Sequence, residues 1–434
     1  MAPQQTTTAA PHYRLRCLGT EAFLDDDGVA LRSNSAEPAF LRAEYSQRQL
    51  HVGPPEDGLY RFRDWLPIRR QLSGSAAPVT YQSQGLAQAL GLQRLWITFS
   101  GYWPERGAGM LTGTFKECEA YAVCARIPES HPETLVVASA GNTARAFIRV
   151  CSENRIPLVV VVPEPNLPNI WAVGEVADTV TLVAAGNNAD YTRAIELGDL
   201  IAHLPGHRPE GGARNVARRD GMGTTVLSAV TTIGEIPEFY FQAVGSGTGA
   251  IAAWEANQRL IADGRYGDRQ MRLFLSQNKP FVILRDSWKR KSRRLVRVSE
   301  DRAKRLVSRI AAKVLANRKP PWDIRGGLFD ALTETRGTML GVSNREAARA
   351  AQLFERTEGI DPAPAASVAV ASLIRSVRAR LVKRNSLVML NITGGGFNRV
   401  RQDYPVRQLS PKFVVSEPDP DPEHLLHLLQ EQSA

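Results

Sequence analysis

Cysteine is scarce in this chain. Four in 434 residues (Cys17, Cys118, Cys124 and Cys151) are too few for a disulfide framework. No two of them stand at C-x-x-C spacing, and the seven histidines form no ligand cluster, so no metal site is expected. His203 and His207 lie four apart, but Pro205 and Gly206 between them oppose the helix that would put both on one face. Apolar runs are short as well. None approaches the roughly 18 residues that would span a bilayer. The longest branched run, LVVVV at 158–162, suits one buried strand. The first ten residues, MAPQQTTTAA, lack the basic start and apolar stretch of a secretory signal. They predict a disordered tail over 1–11 and a cytoplasmic protein.

What is present is ordinary for a folded enzyme. With 43% hydrophobic and 23% charged residues the chain is neither disordered nor fibrous. Its length allows two or three domains or one large α/β unit. The net charge of +10 is concentrated. Residues 285–319 carry fourteen Lys or Arg against three acids (Asp286, Glu300 and Asp301), and that excess accounts for the whole imbalance. A nucleic-acid binder would spread its charge more widely. Leu306, Val307, Ile310 and Val314 fit the apolar face of a helix whose basic face is solvated or meets another subunit. The rival reading is a nucleic-acid-binding protein that uses this segment and shows strongly salt-dependent affinity.

Along the chain, 12–75 is a mixed N-terminal extension. Residues 86–92 read as a helix and 95–99 as a strand. Apolar strand-like runs then recur at 135–138, 158–162, 180–183, 239–244 and 387–392, with helical stretches between them. That alternation predicts an α/β protein with doubly wound parallel sheets. A Pro/acid stretch at 417–422 leads to a short final helix.

Three of the runs end in small-residue turns: SAGNT at 139–143, GSGTG at 245–249 and TGGG at 393–396. Ligands of an open α/β sheet bind beyond the carboxyl ends of its strands, so all three are candidates for one site. The second turn is the best phosphate cradle. Gly245, Gly247 and Gly249 allow close approach of backbone N–H groups, and a helical stretch follows. A tight strand-to-helix turn is the plainer explanation. No Lys-Ser/Thr pair follows the glycines, so it is not a Walker loop. A dinucleotide site would need an acid about 20 residues on at a strand end, and Asp263 falls in a helix-to-turn segment instead. Lys116, in TGTFK at 112–116, opens a helical stretch. A helix N-terminus disfavours an ammonium, which helps the neutral amine that Schiff-base chemistry needs. Taken alone, a Lys beside Glu117 is a solvated surface pair. Cys118 suits a small buried role better than a catalytic thiol.

Together, TGTFK, SAGNT, GSGTG, TGGG and EGIDPAP (358–364) resemble the pyridoxal-phosphate enzymes of the threonine synthase and cysteine synthase superfamily, fold type II. The motifs stand in that superfamily's order over about 80–400. Further segments, FSGYWPERG at 99–107, NVARRDGMG at 215–223, LSQNKP at 275–280 and RGGLFD at 325–330, are similar to the cysteate synthases within it. The resemblance implies two doubly wound α/β subdomains with pyridoxal 5'-phosphate between them. It implies a catalytic domain over 76–408, a smaller subdomain of about 118–236 inserted in the larger one, and 409–434 as a C-terminal linker and short helix.

Carried onto this chain, the resemblance makes Lys116 the covalent anchor of the cofactor and the catalytic base. It assigns Asn142 to the cofactor's phenolic oxygen. Gly245, Ser246, Gly247, Thr248 and Gly249 would hold the phosphate, and Thr393 would meet the pyridine nitrogen. Ser139, Gly141 and Thr143 would grip the substrate carboxylate. Relatives can carry a cysteine-rich ribbon at the N-terminus, but Cys17 stands alone, so no metal is carried over. The implied reaction is β-replacement through aminoacrylate: O-phospho-L-serine and sulfite to L-cysteate and phosphate. The implied partners are thus a small anionic amino acid and sulfite, with neither nucleic acid nor membrane, in a homo-oligomer. Two anionic reactants call for cationic walls, for which Arg106, Arg145, Arg218 and Arg219 are candidates. The alternatives are threonine synthase acting on O-phosphohomoserine, or another nucleophile in a specialised biosynthetic pathway.

Overall fold

The computed structural model describes residues 12–33 and 35–431; the tail expected over 1–11 lies outside them. Two sheets organise the chain. The first has five parallel strands in the order His207–Pro209, Thr134–Ala138, Leu158–Pro163, Val180–Ala185 and Phe413–Val415. The second has six, in the order Thr338–Val342, Arg272–Asn278, Phe239–Ala243, Leu387–Ile392, Arg94–Phe99 and Val79–Gln82; only the last is antiparallel.

Both sheets are covered on both faces, which is why their central strands read as unbroken apolar runs. In the five-stranded sheet Leu158, Val160 and Val162 enter one core while Val159 and Val161 enter another. In the six-stranded sheet Tyr240, Leu273 and Met389 pack on one face, and Phe239, Phe241, Phe274 and Leu390 on the other. Alternation of side chains along each strand sorts neighbours to opposite faces. Each fully buried Leu or Phe contributes about 1.5–3 kcal/mol by leaving water.

The N-terminal extension forms a three-stranded sheet (Tyr13–Cys17, Phe23–Leu24 and Leu41–Tyr45) and a 3-10 stretch, Pro55–Trp65. It clamps helices that bear the site. Asp26 takes Arg126 Nε at 2.8 Å and Nη2 at 2.6 Å, where Arg126 closes the helix Lys116–Arg126. Tyr45 OH donates to Asp220 at 2.6 Å on the helix Val216–Ile233.

The basic segment differs from the single amphipathic helix expected. The helix Glu300–Ser308 stops before Ile310, and a 3-10 turn, Lys313–Leu315, follows. Ile310 and Leu315 are buried all the same, but Val314 is exposed. Asn278 Oδ1 takes the amides of Ala311 and Ala312, each at 3.0 Å, which breaks the helix by offering its N–H groups another acceptor. At the far end Arg318 reaches Asp190 at 2.8 Å and also bonds Thr192, at the start of the helix Tyr191–Ala202. Residues 311–318 therefore run from one sheet's strand end to a helix flanking the other.

Candidate active site

Strand ends bring the motifs together. Lys116 is the first residue of its helix, and the loop before it is stitched to the TGGG turn. Phe115 N donates to Thr393 O at 3.0 Å, Gly395 N donates to Gly113 O at 3.0 Å, and Thr114 bridges Gly394. A Cβ on Gly394 would stand 2.7 Å from Gly113 O, so only glycine permits this approach. Phe115 also touches the GSGTG turn: a Cβ on Gly249 would lie 3.2 Å from its ring. Lys116, Thr393 and the glycine cradle are thus neighbours through backbone and one phenyl ring.

The cradle is built as an anion site requires. Gly247 caps the helix Thr248–Asp263 at φ +85°, a conformation L side chains avoid. The hydroxyls of Ser246 and Thr248 lie 2.8 Å apart beside the first amides of that helix, whose N–H groups have no partner within it. Asp263 ends the same helix and is held by Arg265 and Leu50 N; it is not at a strand end, which disposes of a dinucleotide site.

The SAGNT turn follows the strand Thr134–Ala138 and opens the helix Asn142–Glu153. Ser139 Oγ accepts from Gly141 N at 3.3 Å and Ala144 N at 3.1 Å, capping the helix. Residue 314 links this turn to the cradle. A Cβ on Gly141 would be 4.0 Å from Val314 Cγ1, and one on Gly245 would be 2.9 Å from Val314 O. The basic segment, expected to be a solvated face, crosses between the two turns.

Lys116 is not a surface pair with Glu117. Glu117 turns inward and accepts from Thr112 N at 2.5 Å, and burial pushes its carboxyl above the usual range. Lys116 Nζ instead donates to Glu119 Oε2 at 2.8 Å. Glu119 is fully buried, and its Oε1 accepts from Thr143 Oγ1 at 3.0 Å and meets Arg218 at 3.2 Å. Its charge offsets the unfavourable field that the helix N-terminus sets at Lys116. Sequence reasoning missed Glu119. The available signal was its i,i+3 spacing from Lys116, which puts both on one helix face.

The four arginine candidates separate. Arg219 is spent on Glu255 at 2.9 Å and on Leu41 O. Arg106 stacks on Tyr81 at 3.9 Å and Trp103 at 4.7 Å. Arg218 joins Glu119 and Glu210. Burial works against its charge, but the two carboxylates outweigh burial and raise its pKa above the ordinary value. Arg145 is buried and pairs with no carboxylate among the described residues; burial and the nearby Arg401 push it down to about 10.

Several donors and acceptors are unspent. Asn142 Nδ2 and Thr393 Oγ1 take no partner among the described residues, and Thr114 Oγ1 and Ser100 Oγ are buried without one. An amine, an amide N–H, a hydroxyl and a glycine cradle left open fit a ligand with a carbonyl, a phenolic oxygen, a ring nitrogen and a phosphate. The residues present therefore fit pyridoxal phosphate. Cys118 is buried, and burial pushes its thiol up, which suits packing and not nucleophilic attack. Among the described residues no cluster of His, Cys, Asp and Glu could hold a metal ion.

Comparison with known proteins agrees. Residues 80–394 match the family model "Pyridoxal-phosphate dependent enzyme". The chain is 46% identical over 384 residues to a cysteate synthase of Methanosarcina acetivorans, covering 88% of this chain and 92% of that one. It is 47% identical over 396 residues to a cysteate synthase of Methanospirillum hungatei, covering 91% and 92%. Among solved structures it is similar to a fungal L-serine ammonia-lyase from Rhizomucor miehei, with a TM-score of 0.58 at 16% identity, over 76% of this chain and 99% of that one.

Proposed function

We propose, from the premise that this chain belongs to the pyridoxal-phosphate-dependent enzymes and among them to the cysteate synthase family, that it converts O-phospho-L-serine and sulfite to L-cysteate and phosphate. The observation that carries this reading is the likeness to cysteate synthases along nearly the whole chain, together with a site whose unspent groups suit the cofactor. The fold is that of the type II enzymes, two doubly wound sheets flanking the site.

Bound covalently to an amine, pyridoxal phosphate draws off the charge that builds at the α-carbon and so loosens the substituent on the β-carbon. Lys116 is the residue for that bond. Glu119, whose Oε2 accepts from Nζ at 2.8 Å, would hold that amine whenever it is free. Lys116 then takes the α-proton, the Cβ–O bond breaks with its electrons leaving on phosphate, and sulfite forms the Cβ–S bond through its sulfur lone pair. Lys116 returns the proton to the α-carbon. Asn142 would hold the phenolic oxygen, the 245–249 turn the phosphate, and Ser139, Gly141 and Thr143 the substrate carboxylate. Thr393 would offer the pyridine nitrogen a neutral hydroxyl. An aspartate there would keep that nitrogen protonated; a threonine does not, so elimination competes well with transamination.

Four strands of the five-stranded sheet lie between 134 and 209, which supports a smaller subdomain of about 118–236 within 76–408. Phe413–Val415 adds the fifth strand to that sheet from the segment 409–434, so this segment packs against the smaller subdomain. The cytoplasm and a homo-oligomer remain the proposed setting; among the described residues no helix is long and apolar enough to cross a membrane. The test is product analysis by mass spectrometry. Protein loaded with pyridoxal phosphate receives O-phosphoserine with and without sulfite, and Lys116→Ala is the control. Sulfite-dependent cysteate is the expected result. Pyruvate and phosphate alone would remove sulfite as the nucleophile. Turnover of O-phosphohomoserine in its place would remove the reaction.

A further inference from the structure

Among the described residues Arg145 is a buried cation that meets no carboxylate. Its Nη2 donates to Asn142 Oδ1 at 2.8 Å and its Nη1 to Asn169 O at 2.9 Å. Its guanidinium stacks on Trp171 at 4.6 Å and lies 5.8 Å from the ring of Phe397. Trp171 belongs to a strand after the SAGNT helix; Phe397 follows the TGGG turn, and its ring bears on Gly113. Nε is buried beyond the reach of solvent and has no partner.

A buried charge that ends on no acid is unfavourable unless an anion offsets it. A diffusing anion such as sulfite finds Nε sealed and one N–H of each Nη already taken. What the charge does touch is Asn142. With Oδ1 held by Nη2, the free end of that amide is Nδ2, a donor.

We propose that Arg145 is a positioning residue for the cofactor's phenolic oxygen: it fixes the Asn142 amide with Nδ2 outward and supplies, through that amide, the positive charge that offsets the phenolate. This rests on the cofactor reading above and on the assignment of Asn142, but not on the identity of the nucleophile. The guanidinium, disfavoured by burial first and by Arg401 second, donates to Asn142 Oδ1, so a negative oxygen met by Nδ2 is the anion that this geometry offers to offset it.

The readout is the absorbance of holoenzyme without substrate. With the phenolate stabilised, bound cofactor absorbs at the visible edge; without it, the neutral form gains in the near ultraviolet. Arg145→Gln should cut the visible band per bound cofactor at least twofold in favour of the near-ultraviolet one, and weaken cofactor binding about tenfold. Arg145→Lys, which keeps the charge and one donor, should retain most of the band. In an Asn142→Ala background Arg145→Gln should add little. Circular dichroism and a melting curve confirm that each variant is folded.

An unchanged spectrum per bound cofactor in Arg145→Gln overturns the proposal. So does a spectral change of undiminished size in the Asn142→Ala background, which would mean Arg145 does not act through Asn142. An unchanged spectrum with a raised KM for sulfite or O-phosphoserine would make Arg145 a substrate contact instead. If Arg145→Gln does not fold, the Arg145→Lys spectrum decides: a band as reduced as that of Asn142→Ala overturns the idea. Sulfite-dependent cysteate formation by the parent enzyme is scored separately, so failure there leaves this result readable.

Discussion

Lys116 Nζ and Glu119 Oε2 lie 2.8 Å apart on one face of a helix, and Glu119 is fully buried. The same carboxylate holds Thr143, from the turn assigned to the substrate carboxylate, and Arg218. One acid thus joins Lys116, the 139–143 turn and Arg218. Glu119→Gln keeps the shape and removes the charge. Arg218 retains Glu210, so the fold should survive at a cost of about 1–3 kcal/mol. kcat should fall roughly tenfold, less than the roughly 10²–10⁴-fold of a group that itself transfers the proton, because Glu119 acts through Lys116. The yellow colour should persist. Steady-state kinetics beside cofactor absorbance check this; unchanged kcat would leave Glu119 only a structural partner.

Lys116→Ala should lose both colour and turnover while melting near the parent temperature. The substitution removes a side chain at the start of a helix and deletes no part of the core. Differential scanning calorimetry beside the visible spectrum separates the two effects. A colourless protein that still makes product would mean another group does the chemistry.

The glycine cradle offers a backbone test. Gly247→Ala must adopt φ +85°, which costs an L residue about 1–2 kcal/mol. Its Cβ would also stand 2.5 Å from Leu328 Cδ2, an end of a side chain that can shift. Gly245→Ala keeps ordinary φ but meets the backbone at Val314 O, 2.9 Å away, and must displace residues 314–315. Both should weaken cofactor binding. Gly245→Ala should do so with little loss of global stability, and by more than tenfold. Fluorescence titration of apoprotein with pyridoxal phosphate gives the affinities.

Asp26 supplies a pH test away from the chemistry. Its burial opposes ionisation, yet the hydrogen bonds and charge of Arg126 outweigh that and hold its carboxyl below the usual range. A depressed pKa adds stability that is fully present above the unfolded value, about 3.9. That stability is lost as pH falls through the folded value. Asp26→Asn should therefore destabilise the protein by about 3–5 kcal/mol at pH 7, since Arg126 is left buried without its acid. The gap between variant and parent should narrow as pH falls below about 4. Urea melts at several pH values measure it, and a constant gap would mean the pair carries no linked proton.

Much of this was legible in the sequence because the signals were local. The run at 387–392 is the strand Leu387–Ile392, and 158–162 extends by one residue to Pro163. The three turns that follow strands lie close to one another because, within each sheet, parallel strands end on the same side. The edge strand Phe413–Val415 was not legible: it is three residues long, and only its pairing with Val183–Ala185 makes it a strand. Glu119 hid for the opposite reason, since a buried carboxylate in a helix looks like any exposed one until its neighbours are known. The helix expected through Val314 failed because Asn278, some thirty residues earlier, takes the amides that would have continued it.

Residues 311–318 are held at one end by Asn278 and at the other by Asp190, with Val314 set between Gly141 and Gly245. A tether fixed at both ends has no slack to share out. Inserting or deleting even one residue between 312 and 318 would shift the ceiling over both turns together, whatever its sequence. Upstream, 289–299 is largely exposed yet anchored as well: Ser292 O accepts from Trp322 Nε1 at 3.1 Å, Arg293 pairs with Asp330, and Val296 N donates to Ser287 Oγ at 2.8 Å. Between 312 and 318, then, the number of residues is itself a dimension of the space over the two turns, as binding on that stretch as the identity of any one side chain.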